Sequence, residues 1–167
     1  MFDFIKNLFK TNSSVHLRPP GARDESGVLA SCIKCGRCVE ACPYQSIFLA
    51  PYSQLSLYGT PLIDPIKEPC YLCMKCTAVC PTGSLTPVAK EKTNMGVASI
   101  IEASCFSYQD TICNLCYLRC PLKGKAITLD EDLRPVVIND GCVGCGVCLH
   151  VCPSKPQSIT LTSRMKI

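Results

Sequence analysis

The stretch CIKCGRCVEACP, residues 32–43, carries four cysteines and one proline within twelve residues. Its spacing is C-x2-C-x2-C-x3-C-P, and residues 70–81 and 142–153 repeat that spacing. Residues 105–121 form a fourth group, which also ends in Cys-Pro but has seven residues between its first two cysteines. The four groups contain all 16 cysteines of the 167-residue chain. We therefore expect cysteine chemistry, rather than a conventional apolar core, to determine how the chain folds.

The cysteine content limits the class of protein. A chain in which nearly a tenth of the residues are cysteine is normally a disulfide scaffold or a metal-loaded protein. The first residues show neither a secretory nor a twin-arginine signal, and no apolar run approaches the roughly 20 residues that span a bilayer. We therefore expect a cytoplasmic protein, either free or held at the inner face of the membrane through a partner. A reducing compartment disfavours disulfides and favours metal binding.

The cysteine spacing predicts iron–sulfur clusters. The run C-x2-C-x2-C-x3-C-P is the signature of bacterial two-cluster ferredoxins, in which the fourth cysteine binds the other cluster. Zinc sites more often use two C-x2-C pairs with a longer gap between them. Cys105 is included because, without it, one site would keep only three cysteines. We predict four [4Fe–4S] clusters, whose iron is bound by Cys32, Cys35, Cys38, Cys42, Cys70, Cys73, Cys76, Cys80, Cys105, Cys113, Cys116, Cys120, Cys142, Cys145, Cys148 and Cys152.

The net charge does not indicate a nucleic-acid partner. The formal value of +4 counts the cysteines as neutral thiols, whereas metal-bound cysteines are thiolates. Four clusters, each with four thiolates, would change this value to about −4. No basic stretch with interleaved aromatic residues supports nucleic-acid binding either.

The predicted fold class is α+β, with duplicated bacterial-ferredoxin-like units that are rich in loops and built around four [4Fe–4S] clusters. Helical turns are expected within residues 38–43 and 148–153, and short strands after each Cys-Pro. The stretch ITLDEDLRPVVI, residues 127–138, predicts a hairpin around an acidic turn. We also expect a helix over residues 93–104, and irregular structure over the Pro-rich residues 49–69.

The N-terminal residues predict an amphipathic docking segment. In MFDFIKNLFK, residues 1–10, the side chains of Phe2, Ile5, Leu8 and Phe9 share one face of a helix. Ten residues form about 15 Å of helix, which is too short to cross a membrane. The segment would dock on a partner subunit, on this chain or on a membrane interface. We therefore divide the chain into a docking segment, residues 1–17, and a four-cluster domain, residues 18–167.

The sequence shows no catalytic residues. No nucleophile–base pair and no phosphate-binding loop stands out, so the chain is predicted not to be an enzyme. His150 lies between Cys148 and Cys152, but its group already has four cysteines, and we expect it to neighbour a cluster rather than bind one. Gly144 and Gly146 fit a tight cluster-binding loop rather than a dinucleotide fingerprint.

Several stretches resemble those of a known family. They are RPPGA, CIKCGRCVEACPY, PCYLCMKCTAVCPTGSL, CNLCYLRCPLKGKAITL and CVGCGVCLHVCP. They resemble the ferredoxin-type proteins of the NapG/MauM group, which are associated with periplasmic nitrate reduction and methylamine oxidation. The likeness covers most of residues 18–161. It implies four [4Fe–4S] clusters and electron transfer between a quinol-oxidising or other redox partner and a terminal enzyme.

The resemblance also implies how the motifs pair. In related four-cluster subunits the first motif pairs with the last, and the second with the third. The alternative is sequential pairing, the first motif with the second and the third with the fourth. The nested pairing gives the groups Cys32, Cys35, Cys38 and Cys152; Cys142, Cys145, Cys148 and Cys42; Cys70, Cys73, Cys76 and Cys120; and Cys105, Cys113, Cys116 and Cys80.

The predicted function is electron transfer through four [4Fe–4S] clusters, as a non-catalytic iron–sulfur subunit of a multisubunit oxidoreductase complex. The expected partners are a catalytic oxidoreductase subunit and an electron donor or acceptor. Neither a nucleic acid nor a membrane span is expected. The alternative is a free-standing soluble polyferredoxin, which shuttles electrons between a quinol- or ferredoxin-linked donor and a terminal reductase.

Overall fold

The fold is that of a computed structural model, which describes residues 15–165, so the predicted amphipathic segment at residues 1–10 lies outside the described residues. Within that range, short helices alternate with short strands and long connecting loops. The helices are α1 (Glu25–Ser31), α2 (Arg37–Glu40), α3 (Lys75–Ala78), α4 (Leu115–Arg119) and α5 (Val147–His150). The strands are β1 (Ile47–Leu49), β2 (Pro61–Ile63), β3 (Gly96–Ile100), β4 (Ile127–Leu129), β5 (Pro135–Val137) and β6 (Ile159–Ser163).

The strands form antiparallel pairs rather than one continuous sheet. In the described part of the chain, β1 pairs with β2, β4 with β5, and β3 with β6. The helices pack in the same local manner, since α2 lies against α3 and α4 lies against α5. Each of these four helices begins within a cysteine motif, so the two helix contacts bring the motifs together in two pairs.

The predicted hairpin and helical turns are confirmed. Strands β4 and β5 flank the acidic turn, where the amides of Asp132 and Arg134 donate hydrogen bonds to the Asp130 carboxylate at 3.0 and 2.8 Å. The helical turns predicted within residues 38–43 and 148–153 are part of α2 and α5. A short side-chain acceptor at the start of a turn satisfies backbone donors that the strands leave free.

The helix predicted over residues 93–104 is wrong. Residues Gly96–Ile100 form β3, which pairs with β6 at the end of the described chain, and only the 3-10 turn Glu102–Ser104 is helical. Burial along β3 follows the period of two that is typical of a strand, because Gly96 and Ala98 are buried and Ser99 is exposed. The partner strand lies some sixty residues away, so local sequence could not identify it.

The prediction of irregular structure over residues 49–69 is also incomplete. Its central residues form β2, whose three residues are all buried, and β2 pairs with β1. Leu17 extends this pair, because its amide and carbonyl exchange hydrogen bonds with Ile63 at 2.9 and 2.8 Å. The Pro-rich composition therefore did not indicate the short buried strand β2.

A buried arginine holds the first half of the molecule together. Arg18 is fully buried and forms an ion pair with Glu25 at the start of α1. Its guanidinium also donates to the Thr60 hydroxyl at 2.8 Å and to the Pro61 carbonyl at 2.9 Å. A buried charge is tolerated only when it is paired and hydrogen-bonded in this way.

Apolar side chains and cysteines share one core. Leu17, Ile63, Leu85, Ile127 and Leu161 are each at most 4% exposed, and they belong to the same buried cluster as many of the cysteines. Within residues 15–165, no helix combines the length and the apolar character that a membrane crossing requires.

Candidate metal centres

Three cavities are each lined by four cysteines. In every case three cysteines come from one motif, and the fourth is the last cysteine of another motif. The three cavities are closely matched in size, at about 20 Å³ each. We call them site A (Cys32, Cys35, Cys38 and Cys80), site C (Cys120, Cys142, Cys145 and Cys148) and site D (Cys105, Cys113, Cys116 and Cys152).

The remaining cysteines form a fourth group, site B (Cys42, Cys70, Cys73 and Cys76). Burial, together with the neighbouring thiols of Cys73, Cys38 and Cys42, raises the pKa of Cys76 to about 12. Burial likewise raises the pKa of Cys70 to about 12, with contributions from nearby Cys145, Cys76 and Cys73. Site B therefore has the same composition as the three cavities. Its first three cysteines come from the second motif, and the fourth, Cys42, is the last cysteine of the first motif.

The nested pairing implied by the resemblance is wrong in this structure. Cys152 lines the cavity of the third motif rather than that of Cys32, and Cys80 lines the cavity of the first motif. Cys120 correspondingly lines the cavity of the fourth motif. The physical reason is the packing of α2 on α3 and of α4 on α5, which joins the first motif to the second and the third to the fourth. The sequential alternative describes the observed grouping.

Site C is, together with site B, one of the two most enclosed sites. Cys142, Cys145 and Cys148 are buried, and Cys120 is partly buried. Burial raises the pKa of Cys145 to about 12, and it raises that of Cys148 well above its usual value. Buried thiolates without a compensating cation are unfavourable, so this site requires positive charge in its cavity if its cysteines are to ionise.

Site A is the most open of the four. Cys35 is exposed, and the other three cysteines are partly buried. Burial still raises the pKa of Cys38 to about 11. At Cys80 partial burial also raises the pKa, but hydrogen bonds from the Leu85 amide and from Thr82 outweigh it, so that the net shift is downward. The Leu85 amide lies 3.4 Å from the Cys80 sulfur.

Hydroxyl groups follow two of the Cys-Pro endings and reach the cysteine sulfur. Ser154 Oγ lies 3.0 Å from the sulfur of Cys152 and 2.6 Å from Ser158 Oγ, and it accepts the Ser158 amide at 2.8 Å. At the matching position, Thr82 Oγ1 lies 3.7 Å from the Cys80 sulfur. Donors to the sulfur atoms stabilise negative charge on a cluster. Sequence reasoning missed these residues, although a small hydroxyl residue two positions after the cysteine was a visible signal.

The four sites form a row. Cys38 of site A neighbours Cys76 of site B, and Cys116 of site D neighbours Cys148 of site C. The central link is a backbone hydrogen bond of 2.9 Å, from the amide of Cys70 in site B to the carbonyl of Cys145 in site C. The order along the row is therefore A, B, C, D, and the first and third motifs occupy its ends.

The donor chemistry of the sites fits iron–sulfur clusters. All sixteen cysteines are free in this structure. Among residues 15–165, no three His, Cys, Asp or Glu side chains lie close enough together to hold one metal ion. Four cysteines around one cavity are the ligand set that one [4Fe–4S] cluster requires.

The remaining sequence candidates lie beside the sites. His150 is exposed, and its Nδ1 atom lies 3.1 Å from the Ile66 carbonyl. Gly144 has a positive φ of 72° and packs directly against the backbone of Gly96. A separate cleft of about 660 Å³ has no cysteine among its lining residues, and its charged lining residues are Asp24, Glu25, Lys92 and Arg164.

Family comparisons agree with the cysteine chemistry. A family described as a 4Fe-4S dicluster domain matches residues 31–84, which contain the first two motifs. A family described as a 4Fe-4S binding domain matches residues 142–155, which contain the fourth motif.

Curated relatives match over most of the chain. The methylamine utilization ferredoxin-type protein MauM of Paracoccus denitrificans is 39% identical, over 87% of this chain and 71% of the relative. MauM of Methylorubrum extorquens is 38% identical, over 96% of this chain and 78% of the relative. The ferredoxin-type protein NapG of Escherichia coli is 36% identical, over 88% and 70% respectively.

Proposed function

Since this chain belongs to the family of ferredoxin-type proteins that includes MauM and NapG, we propose that it transfers electrons through four [4Fe–4S] clusters, as a non-catalytic subunit of a larger oxidoreductase complex. The observation that carries this proposal is the row of four cysteine sites. Each site has the ligand number that one cluster needs. The two pairs of neighbouring sites correspond to two ferredoxin-like units, one for the first two motifs and one for the last two.

The protein's own residues would bind the clusters and control their surroundings. Each bound cluster would supply reversible one-electron chemistry. The cysteines fix the positions of the clusters, and burial at site C keeps water away from the middle of the row. Sulfur-directed donors such as the Leu85 amide and the Ser154 hydroxyl would stabilise negative charge at particular sites.

Paired cysteine substitutions test both the cluster number and the grouping. Cys35→Ala with Cys80→Ala removes two ligands of site A, so about four irons should be lost from a starting content of about sixteen. Cys35→Ala with Cys152→Ala removes one ligand from each end of the row, so about eight irons should be lost. Iron and sulfide are measured per chain after reconstitution. Nested pairing predicts the opposite: about eight irons lost from the first variant and about four from the second. A starting content far below sixteen irons per chain would reject the proposal of four clusters.

Native purification tests the role as a subunit. The proposal expects a catalytic redox subunit to purify with this chain in a fixed ratio. A cluster-loaded chain that purifies alone at physiological salt would instead support the free-standing polyferredoxin. The boundary at residue 17 and the cytoplasmic location remain predictions, which truncation and cell fractionation can check.

A further inference from the structure

We propose that the seven residues between the first two cysteines of the third motif, residues 106–112, build a docking surface over site D. Its occupant would be a redox protein whose own docking face has an apolar centre ringed by basic side chains. This inference rests on the proposed function, because such a surface is useful only if site D exchanges electrons. The second motif provides the contrast, since only Tyr71 and Leu72 separate its first two cysteines and Leu72 is buried.

The centre of the surface is apolar and exposed. Ile112 immediately precedes the site D ligand Cys113, and it is 92% exposed, the highest value among the exposed large apolar side chains. Phe106 and Leu115 are 38% and 39% exposed, and Phe106 also lines the cavity of site D. Phe106 therefore lies at the wall of a cluster site, and Ile112 and Leu115 are within two residues of its ligand Cys113.

The loop that carries Ile112 is held by its own hydrogen bonds. Residues Phe106–Tyr108 form a 3-10 turn, and the amide of Thr111 donates to the Phe106 carbonyl at 3.0 Å. The hydroxyl of Ser107, which is itself buried, donates to the carbonyl of Cys113. A side chain presented on a hydrogen-bonded turn loses little additional entropy when a partner covers it.

The border of the surface is acidic. Residues 101–115 and 130–134 carry five carboxylates and one basic residue, Arg134, which pairs with Asp132 at 3.4 Å. Glu102 and Asp130 both lie near Tyr108 of the loop: burial raises the pKa of Tyr108, and these two carboxylates raise it further. Lys155 lies two residues after the lining residue Pro153. Even when its positive charge is counted, the net charge of the border is negative. Such a border attracts a basic partner and repels an acidic one.

The opposite end of the row has the opposite charge. At site A the loop between Cys32 and Cys38 carries exposed Lys34 and Arg37 and no carboxylate. One basic-faced partner would therefore prefer site D over site A. The exchange itself is a single-electron transfer between the cluster at site D and the partner's redox group, without bond formation and without proton transfer.

The test uses ferric cytochrome c as the probe, because it is a one-electron acceptor with a basic docking face. The full chain is reconstituted, reduced with dithionite and freed of excess reductant, and the rate of cytochrome reduction is followed at low and high salt. Asp110→Lys should slow the reaction about tenfold at low salt, and the difference should shrink as salt rises. Glu91→Lys, an equal charge change at an exposed site outside this border, is the control.

A second pair of variants tests the apolar centre. Ile112→Ser should slow the reaction at all salt concentrations, whereas Leu55→Ser, which alters another highly exposed apolar side chain, should not. Equal effects of Asp110→Lys and Glu91→Lys would overturn the proposal, as would a larger effect of Ile33→Ser at site A. Iron content and the spin signals of the reduced variants are measured first. Absence of clusters in the parent chain would refute the proposed function, whereas loaded variants with unchanged rates would refute only the docking surface.

Discussion

Sites A and C have the same cysteine spacing but opposite surroundings. Cys35 of site A is exposed, whereas the matching Cys145 of site C is buried and its carbonyl accepts the amide of Cys70 from the neighbouring site. The glycines that follow these cysteines differ in the same way. A side chain at Gly36 would meet open space, whereas one at Gly146 would meet Pro65 at 2.4 Å. One motif can therefore build a terminal site or an internal one, and its contacts with the other half of the chain determine which.

The largest expected difference between the two sites is in cluster retention. Cys145→Ala should cost about eight irons, because loss of the cluster at site C would free the loop whose Cys145 carbonyl holds the Cys70 amide of site B. Cys35→Ala should cost about four, because site A is open and lies at the end of the row. Iron and sulfide analysis of the purified variants measures both losses. Equal losses would mean that cluster retention at site B does not depend on site C.

Although site A is exposed, a buried ion pair stabilises the half of the chain that contains it. Arg18→Ala should lower the free energy of unfolding by about 3–5 kcal/mol, because it leaves Glu25 and the Thr60 hydroxyl without their buried partner. Denaturant unfolding of the loaded protein measures the change. Arg23→Ala, at an exposed position, is the control and should change stability by less than about 0.5 kcal/mol. Similar values for the two variants would show that the buried ion pair does not support this half of the chain.

The matched glycines sharpen the comparison. Both have a positive φ, 76° at Gly36 and 84° at Gly146, so alanine at either position costs about 1–2 kcal/mol in backbone strain. Gly146→Ala should cost a further ~1–3 kcal/mol, because its Cβ would overlap Pro65. Thermal unfolding of the two variants should therefore rank Gly146→Ala as the more damaging. The reverse order would contradict the close packing of the two halves at site C.

The smallest expected effect concerns reduction potential. Ser154→Ala removes a hydroxyl donor 3.0 Å from the Cys152 sulfur at site D, and should lower the potential of that site by about 60 mV, a tenfold change in a one-electron equilibrium. Thr82→Val should have a smaller effect at site A, because its hydroxyl lies 3.7 Å from the Cys80 sulfur. Spectroscopic redox titration measures both. A shift at Thr82 as large as that at Ser154 would show that hydroxyl distance does not control the potential.

The sequence predicted local features better than long-range ones. The Cys-Pro repeat indicated the cofactor chemistry, and the acidic turn at Asp130 correctly predicted the β4–β5 hairpin, because both signals lie within a dozen residues. The β3–β6 pairing and the burial of Arg18 were missed, since both depend on partners that are distant in the sequence. The grouping of the cysteines was wrong for the same reason. Spacing identifies the three cysteines of one loop, whereas helix packing selects the fourth.

The sequential grouping has a consequence for the order in which the protein can be made. All eight cysteines of sites A and B lie between residues 32 and 80, so the ribosome completes both ligand sets before it reaches the third motif. Site C is completed only by Cys148 and site D only by Cys152, and β3 pairs with β6, which is synthesised later still. The ligands for the first two clusters are thus synthesised before any cysteine of the last two sites. A chain that ends at residue 90 already contains the complete ligand sets of sites A and B.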